Sequence, residues 1–173
     1  TIVQQYDRDL VTLDLSGGFK TLVKSIEALP LDLEVLEIKV VPSPNYVRQV
    51  LPAAADGEVL RIKKLRRYRG KPLAYYLHYT DPKLQSKISK KSIEQEMFTA
   101  IYEQASSNKI VRLKQRIEAV VADIDLTEVL EVRYGLPLFF TENLYFTEDE
   151  KPGILTQNYY RGDKCSYTSS TQL

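Results

Sequence analysis

The chain has 173 residues, 43% of them hydrophobic, a formal net charge of +1, one cysteine and one histidine. That length and apolar content suffice for one buried core, whereas the near-zero charge excludes a global field that would draw in nucleic acid or an anionic membrane. A single cysteine excludes an internal disulfide and fits a reducing cytosol, and no apolar run approaches the roughly 20 residues that span a bilayer. The first residue is Thr1, not Met, as expected of a fragment or a processed product, and the N-terminus has no signal-peptide core.

Residues up to Asp14 read as extended, with Val11, Leu13 and Leu15 alternating. Ser16 can cap a helix over about 19–29, where Phe19, Leu22, Val23 and Ile26 recur at helical spacing before Pro30 stops it. A strand is expected over 33–41, ended by Pro42. Ser43 or Asn45 opens a short helix carrying Tyr46, Val47 and Val50. An Asp56-Gly57 turn then feeds a long β-hairpin over 60–82, LRIKKLRRYRGKPLAYYLHYTDP, with its turn at Gly70-Lys71 ahead of Pro72.

The hairpin breaks its own pattern. Side chains alternate along a strand, so Leu60 and Ile62 point the same way as Lys64 and Arg66. An inner face that begins apolar and continues as two cations leaves the packed core and enters a cavity, where something anionic must meet the charges. The alternative is a bulge near Lys63–Lys64 that flips the phase and turns every cation outward.

Downstream, a helix is expected over 92–103, with Ile93, Glu96 or Met97, Ala100 and Ile101 on one side. A strand follows over 110–122, then a short helix over 126–132 with Asp125 as its cap, and a Gly135-Leu136-Pro137 turn. Strands over 138–146 and 154–160 flank the turn TEDEKPG. The ENLYF stretch at 142–146 resembles a protease-tag site but continues the strand pattern and reads as native. Hairpins and helices without a regular βαβ rhythm argue for an α+β fold with a mainly antiparallel sheet, in one domain over 1–173.

Much chemistry is missing. One histidine and one cysteine supply neither a zinc-ligand set nor a Ser-His-Asp or Cys-His arrangement. His78, inside a strand among tyrosines, reads as a packed strand residue. No Gly-rich phosphate loop follows a strand, and no carboxylate pair has spacing for acid–base work. No catalytic residue, metal or cofactor is therefore assigned. Twelve tyrosines against no tryptophan is a marked bias, and tyrosines offer a pocket both an apolar body and a polar tip.

The run VLRIKKLRRYRGKPLAYYLHYTDP resembles the central hairpin of the UTRA domain, where a basic-x-basic strand precedes a Gly-x-Pro turn. LTEVLEVRYGLPLFFTENLYFTEDEKP is similar to that domain's short helix, its L-x-V-x-x-G-x-P-L element and next strand, and YYRGDK to its terminal motif. VVPSPNYVRQVLPAAADGEVLRI is similar to the upstream element, so the likeness spans roughly 30–168. The resemblance implies a chorismate-lyase-like α+β fold that senses effectors for bacterial repressors of the GntR/HutC type. It implies a cytoplasmic homodimer that reaches DNA only through a winged helix-turn-helix domain absent from this chain, with no membrane partner. Its ligand would be a small anionic metabolite.

Carried over to this chain, the pocket positions are Lys64, Arg66, Ser92 at a helix start, Tyr76, Tyr160, and Arg161 of the terminal motif. Tyr76 and Ile154 stand where many relatives carry glutamates, which implies a less polar anionic ligand. Competing expectations are a chorismate-lyase-type enzyme on the same fold, and an interaction domain without a small ligand.

Overall fold

The computed structural model describes residues 10–14, 16 and 31–170. The helix expected over 19–29, with Leu15 and Pro30, lies outside the described residues. In chain order the elements are β1 (Val11–Asp14), β2 (Leu31–Pro42), α1 (Asn45–Val50), a 3-10 turn (Pro52–Ala54), β3 (Glu58–Tyr68) and β4 (Lys71–Thr80). A second 3-10 segment (Pro82–Lys87), α2 (Lys90–Gln95), α3 (Phe98–Ser106), β5 (Ile110–Val121) and α4 (Ile124–Leu130) follow. The chain closes with β6 (Pro137–Thr147), β7 (Pro152–Arg161) and β8 (Cys165–Thr168).

Six strands form an antiparallel sheet in the order β2-β3-β4-β7-β6-β5, and β1 pairs in parallel with β8 as a separate ribbon. This is the mainly antiparallel α+β architecture expected, with the β3–β4 hairpin inside the sheet. The hairpin turns at Arg69-Gly70, one residue earlier than expected. Both have positive φ (52° and 76°) between the paired Tyr68 and Lys71, the two-residue turn whose twist suits a hairpin.

The question of phase in β3 has a clear answer. The irregularity opposite Lys63 and Lys64 falls in β2, between Val35 and Glu37, and leaves β3 in register from Leu60 to Arg66. A second one on β4 absorbs Leu73 beside Pro72, a position where a residue without an N–H is tolerated. Leu60, Ile62, Lys64 and Arg66 therefore share one face.

That face is covered at its two ends. At one end the second 3-10 segment, α2 and α3 pack Leu84, Ile93, Phe98 and Ile101 on Leu60, Ile62 and Ile154. At the other, the β1–β8 ribbon packs Val11, Leu13 and Cys165 on Ala74, Tyr76 and Tyr160. The opposite face is covered by α1, through Val47 and Leu51 on Val59 and Leu155, and by α4, through Leu126 and Leu130 on Leu65 and Leu138.

Two local expectations are corrected. The helix expected over 92–103 is two helices, broken at Glu96 and Met97, whose backbones are extended. Ile93 and Phe98 are both buried in one cluster, yet in an unbroken helix residues five apart point about 140° apart; the break lets both reach the sheet. The later helix starts at Ile124, and Asp123 rather than Asp125 caps it, its Oδ1 accepting from Leu126 N at 2.9 Å. The last long strand is interior, since β7 lies between β4 and β6, and β8 pairs with β1.

Candidate functional site

Between the two apolar clusters the sheet face turns polar, and there a cavity of about 80 Å³ opens. Its floor comes from alternate residues of three adjacent strands: Lys64 and Arg66 from β3, Tyr76 and His78 from β4, and Thr156, Asn158 and Tyr160 from β7. Asn143 and Tyr145 of β6 extend the floor. Cross-strand register fixes the grouping, with Lys64 opposite Tyr76, Tyr76 opposite Asn158, and Asn143 opposite Thr156. The roof is the α2–α3 break and the first turn of α3, Glu96 to Thr99.

Lys64 is 6% exposed. Neither it nor Arg66 forms an ion pair with any described residue. The Lys64 ammonium lies 5.9 Å from the Tyr76 ring centroid and 6.0 Å from that of Phe98, and the Arg66 guanidinium lies 5.9 Å from Tyr76. Burial, with Arg66 adding repulsion, pulls the Lys64 pKa down to about 7. Two cations buried on one strand face, with no described carboxylate bonded to either, repel each other and are costly to hold.

Two further polar atoms are buried and unpartnered. His78 Nδ1 bonds Thr156 Oγ1 at 3.0 Å, which leaves Nε2 unpaired. Asn158 Nδ2 donates to Thr141 Oγ1 at 3.0 Å, which leaves Oδ1 unpaired. Burial, then Lys64 and Arg66, hold His78 well below the usual imidazole pKa, so it is neutral. Orphaned polar atoms of this kind are costly in a finished core and useful in a binding site.

The helix start at the cavity belongs to α3. No side chain caps it, so its first N–H groups remain for a ligand or water. The Glu96 carboxylate, also at the roof, accepts from Gln104 Nε2 at 2.9 Å.

Of the six residues named from sequence, the fold brings four together: Lys64, Arg66, Tyr76 and Tyr160. Ser92 is not among the lining residues. It is the third residue of α2, locked in a reciprocal capping box: its N–H donates to Ser89 Oγ at 3.1 Å and its hydroxyl to Ser89 O at 2.8 Å. Arg161 follows Tyr160 and so points to the other side of β7. It pairs with Asp163 at 2.8 Å and borders a separate 200 Å³ cleft with Arg69, Lys71 and Lys164. Ile154 is fully buried under α3 rather than in the cavity.

His78, Thr156, Asn158 and Asn143 also line the cavity and were not among the residues named from sequence. The signal was present in β7, where Thr156 and Asn158 share a face with Ile154 and Tyr160; a polar pair on an otherwise apolar stripe marks the same departure from the core as Lys64 and Arg66.

The model of the UTRA domain family matches residues 30–166. Among curated proteins, the HTH-type transcriptional regulator Rv0792c of Mycobacterium tuberculosis (strain ATCC 25618 / H37Rv) is 23% identical over 165 residues, covering 92% of this chain. The chain spans 60% of the length of that relative. Among solved structures, the effector domain of PhnF from Mycobacterium smegmatis superposes with a TM-score of 0.77 at 14% identity, covering 94% of this chain and all (100%) of that one. The effector-binding domain of the Bacillus subtilis trehalose repressor superposes with a TM-score of 0.70 at 19% identity, covering 82% of this chain and 98% of that one.

Proposed function

The chain belongs to the UTRA domain family, and from that premise we propose that it is the effector-sensing domain of a GntR-type transcriptional regulator, holding a small anionic metabolite in the Lys64–Arg66 cavity. What supports this is the uncompensated charge: a buried ammonium and a guanidinium face a cavity with no described carboxylate bonded to either. An anion seated there would meet both cations and the uncapped start of α3, and Asn158 Oδ1 would accept from a hydroxyl or amine of the same molecule. Tyr76 and Phe98 supply flat walls for its body.

On this reading, DNA is contacted by a winged helix-turn-helix domain joined to this one, in a cytoplasmic homodimer, and the ligand shifts a two-state equilibrium that sets DNA affinity. The curated relative named above is likewise a helix-turn-helix regulator.

Native mass spectrometry of the protein purified from cells tests the reading. An additional mass of a small anionic compound, lost in the Arg66→Ala variant, is the expected result. Absence of any added mass, together with no thermal stabilisation by inorganic phosphate or small carboxylates, would count against it.

A further inference from the structure

The two cations facing the cavity differ in kind. A guanidinium keeps its proton at any pH that leaves a protein folded, whereas an ammonium taken out of water can release one. Lys64 and Arg66 stand two residues apart on one face of β3, about 6.6 Å between Cα atoms at about 3.3 Å per residue. Lys64 is 6% exposed, and no described carboxylate is bonded to either side chain. Desolvation and a like charge both disfavour its ammonium, and losing the Lys64 proton relieves both.

No described group turned toward Lys64 from the neighbouring elements supplies the missing negative charge. β2 sets Val35 opposite it. β4 brings the Tyr76 ring, 5.9 Å from the ammonium, and His78, kept neutral by burial and by the two cations. Tyr145 of β6 and Tyr160 of β7 line the same cavity, and Cys165 and Tyr167 of the ribbon pack behind Tyr76 and Tyr160. Burial raises the pKa of these four groups and of Tyr76, so none is an anion near neutral pH. The roof brings Phe98, 6.0 Å away, and Glu96, an exposed side chain whose carboxylate accepts from Gln104. Burial first, and Arg66 second, accordingly lower Lys64 to about 7.

We infer that this domain takes up its anion together with a proton: Lys64 releases a proton from the empty cavity as pH rises and regains one from solvent when the anion arrives. The inference rests on the reading of the cavity as an anion site. Arg66 gives the empty cavity one permanent cation that draws the anion in. Lys64 adds the second once the anion is there to offset it. Because the bound anion favours the charged ammonium, affinity is full below about pH 7 and falls above it, by up to about tenfold per pH unit. The sensor thereby responds to its effector and to pH through one side chain.

Calorimetric titration with sulfate, and with benzoate as a second probe, tests this, because neither anion titrates between pH 6 and 8.5. Repeating each titration in two buffers of different ionisation enthalpy counts the protons taken up. The unmodified chain should take up nearly one proton per anion at pH 8.5 and almost none at pH 6, with affinity about ten- to thirty-fold lower at the higher pH. Lys64→Arg, whose charge is permanent, should bind equally at both pH values without uptake. Lys64→Met should bind weakly at both, also without uptake. Anion binding without proton uptake at pH 8.5, or uptake that persists in Lys64→Arg or Lys64→Met, overturns the inference and leaves the cavity an anion site. Failure of both anions to bind at either pH removes the anion site itself, and the inference with it.

Discussion

The ammonium of Lys64 stands 5.9 Å from the ring centroid of Tyr76, its cross-strand neighbour, and the charge that acts on it is the Arg66 guanidinium rather than a carboxylate. Its pKa falls to about 7, against about 10.4 in an unfolded chain. Between those values the unfolded chain carries a proton that the native cavity has released. Stability of the empty protein therefore rises with pH from about 7 toward 10, by up to about 1.4 kcal/mol per pH unit. Below about pH 7 both states hold the proton and this contribution is flat. Denaturant unfolding at about pH 7, 8 and 9 checks this, and Lys64→Met should flatten the rise and stabilise the protein at neutral pH.

His78 sets a second limit on the acid side. Burial, followed by repulsion from Lys64 and Arg66, keeps the folded imidazole well below its unfolded pKa. As pH falls through about 6.5 the unfolded chain gains a proton that the native state refuses. Stability should therefore drop between about pH 6.5 and 5, and His78→Leu should remove most of that part of the drop. Equal acid sensitivity in His78→Leu and the parent would assign the loss to carboxylates instead.

Strand phase made part of this site legible in advance. Leu60, Ile62, Lys64 and Arg66 share a parity, and parity survives wherever the strand itself has no bulge. What the pattern could not place was the roof. The 92–103 segment scans as one helix because Ile93, Met97, Ala100 and Ile101 fit its period, but burying both Ile93 and Phe98 outweighs two or so lost helical hydrogen bonds. The break moves the open helix start from Ser92 to Phe98. Arg161 was misplaced for a related reason: adjacent residues on β7 point to opposite faces, so a motif containing both Tyr160 and Arg161 cannot send both into one cavity.

Gly153 is fixed by contact rather than by its backbone angles. A Cβ there would lie 2.3 Å from the Tyr102 hydroxyl oxygen and 2.6 Å from Cζ. Tyr102 is buried in the cluster under α3, so relief requires a shift in a packed core. Gly153→Ala should destabilise by about 1–3 kcal/mol, and by clearly less when combined with Tyr102→Leu. Chemical denaturation of the two single variants and the double variant gives the coupling directly.

The two arginines named from sequence should separate cleanly by experiment. Arg66 faces the cavity, close to Lys64 and without a described counter-charge. Arg161 forms two bonds to Asp163, at 2.8 and 3.0 Å, and reaches Pro72 O at 3.5 Å, tying the end of β7 to the hairpin. The following Gly162 passes so close to β6 that a Cβ would lie 2.7 Å from Pro137 O, while its N–H donates to that oxygen at 3.1 Å. The terminal motif thus clasps the end of β7 to β6 and to the hairpin, and Arg161 lies outside the Lys64–Arg66 cavity. Arg66→Ala should weaken an anionic ligand, read with inorganic phosphate or the co-purifying compound, by about ten- to a hundred-fold, since a charge-assisted bond contributes about 1.5–3 kcal/mol. It should leave stability equal or raised, because a repulsion is removed. Arg161→Ala should do the reverse, with ligand affinity unchanged and stability lower by about 0.5–1 kcal/mol for a partly buried pair. Isothermal titration and unfolding of both variants decide the matter: loss of affinity in Arg161→Ala at unchanged stability would return that residue to the binding site.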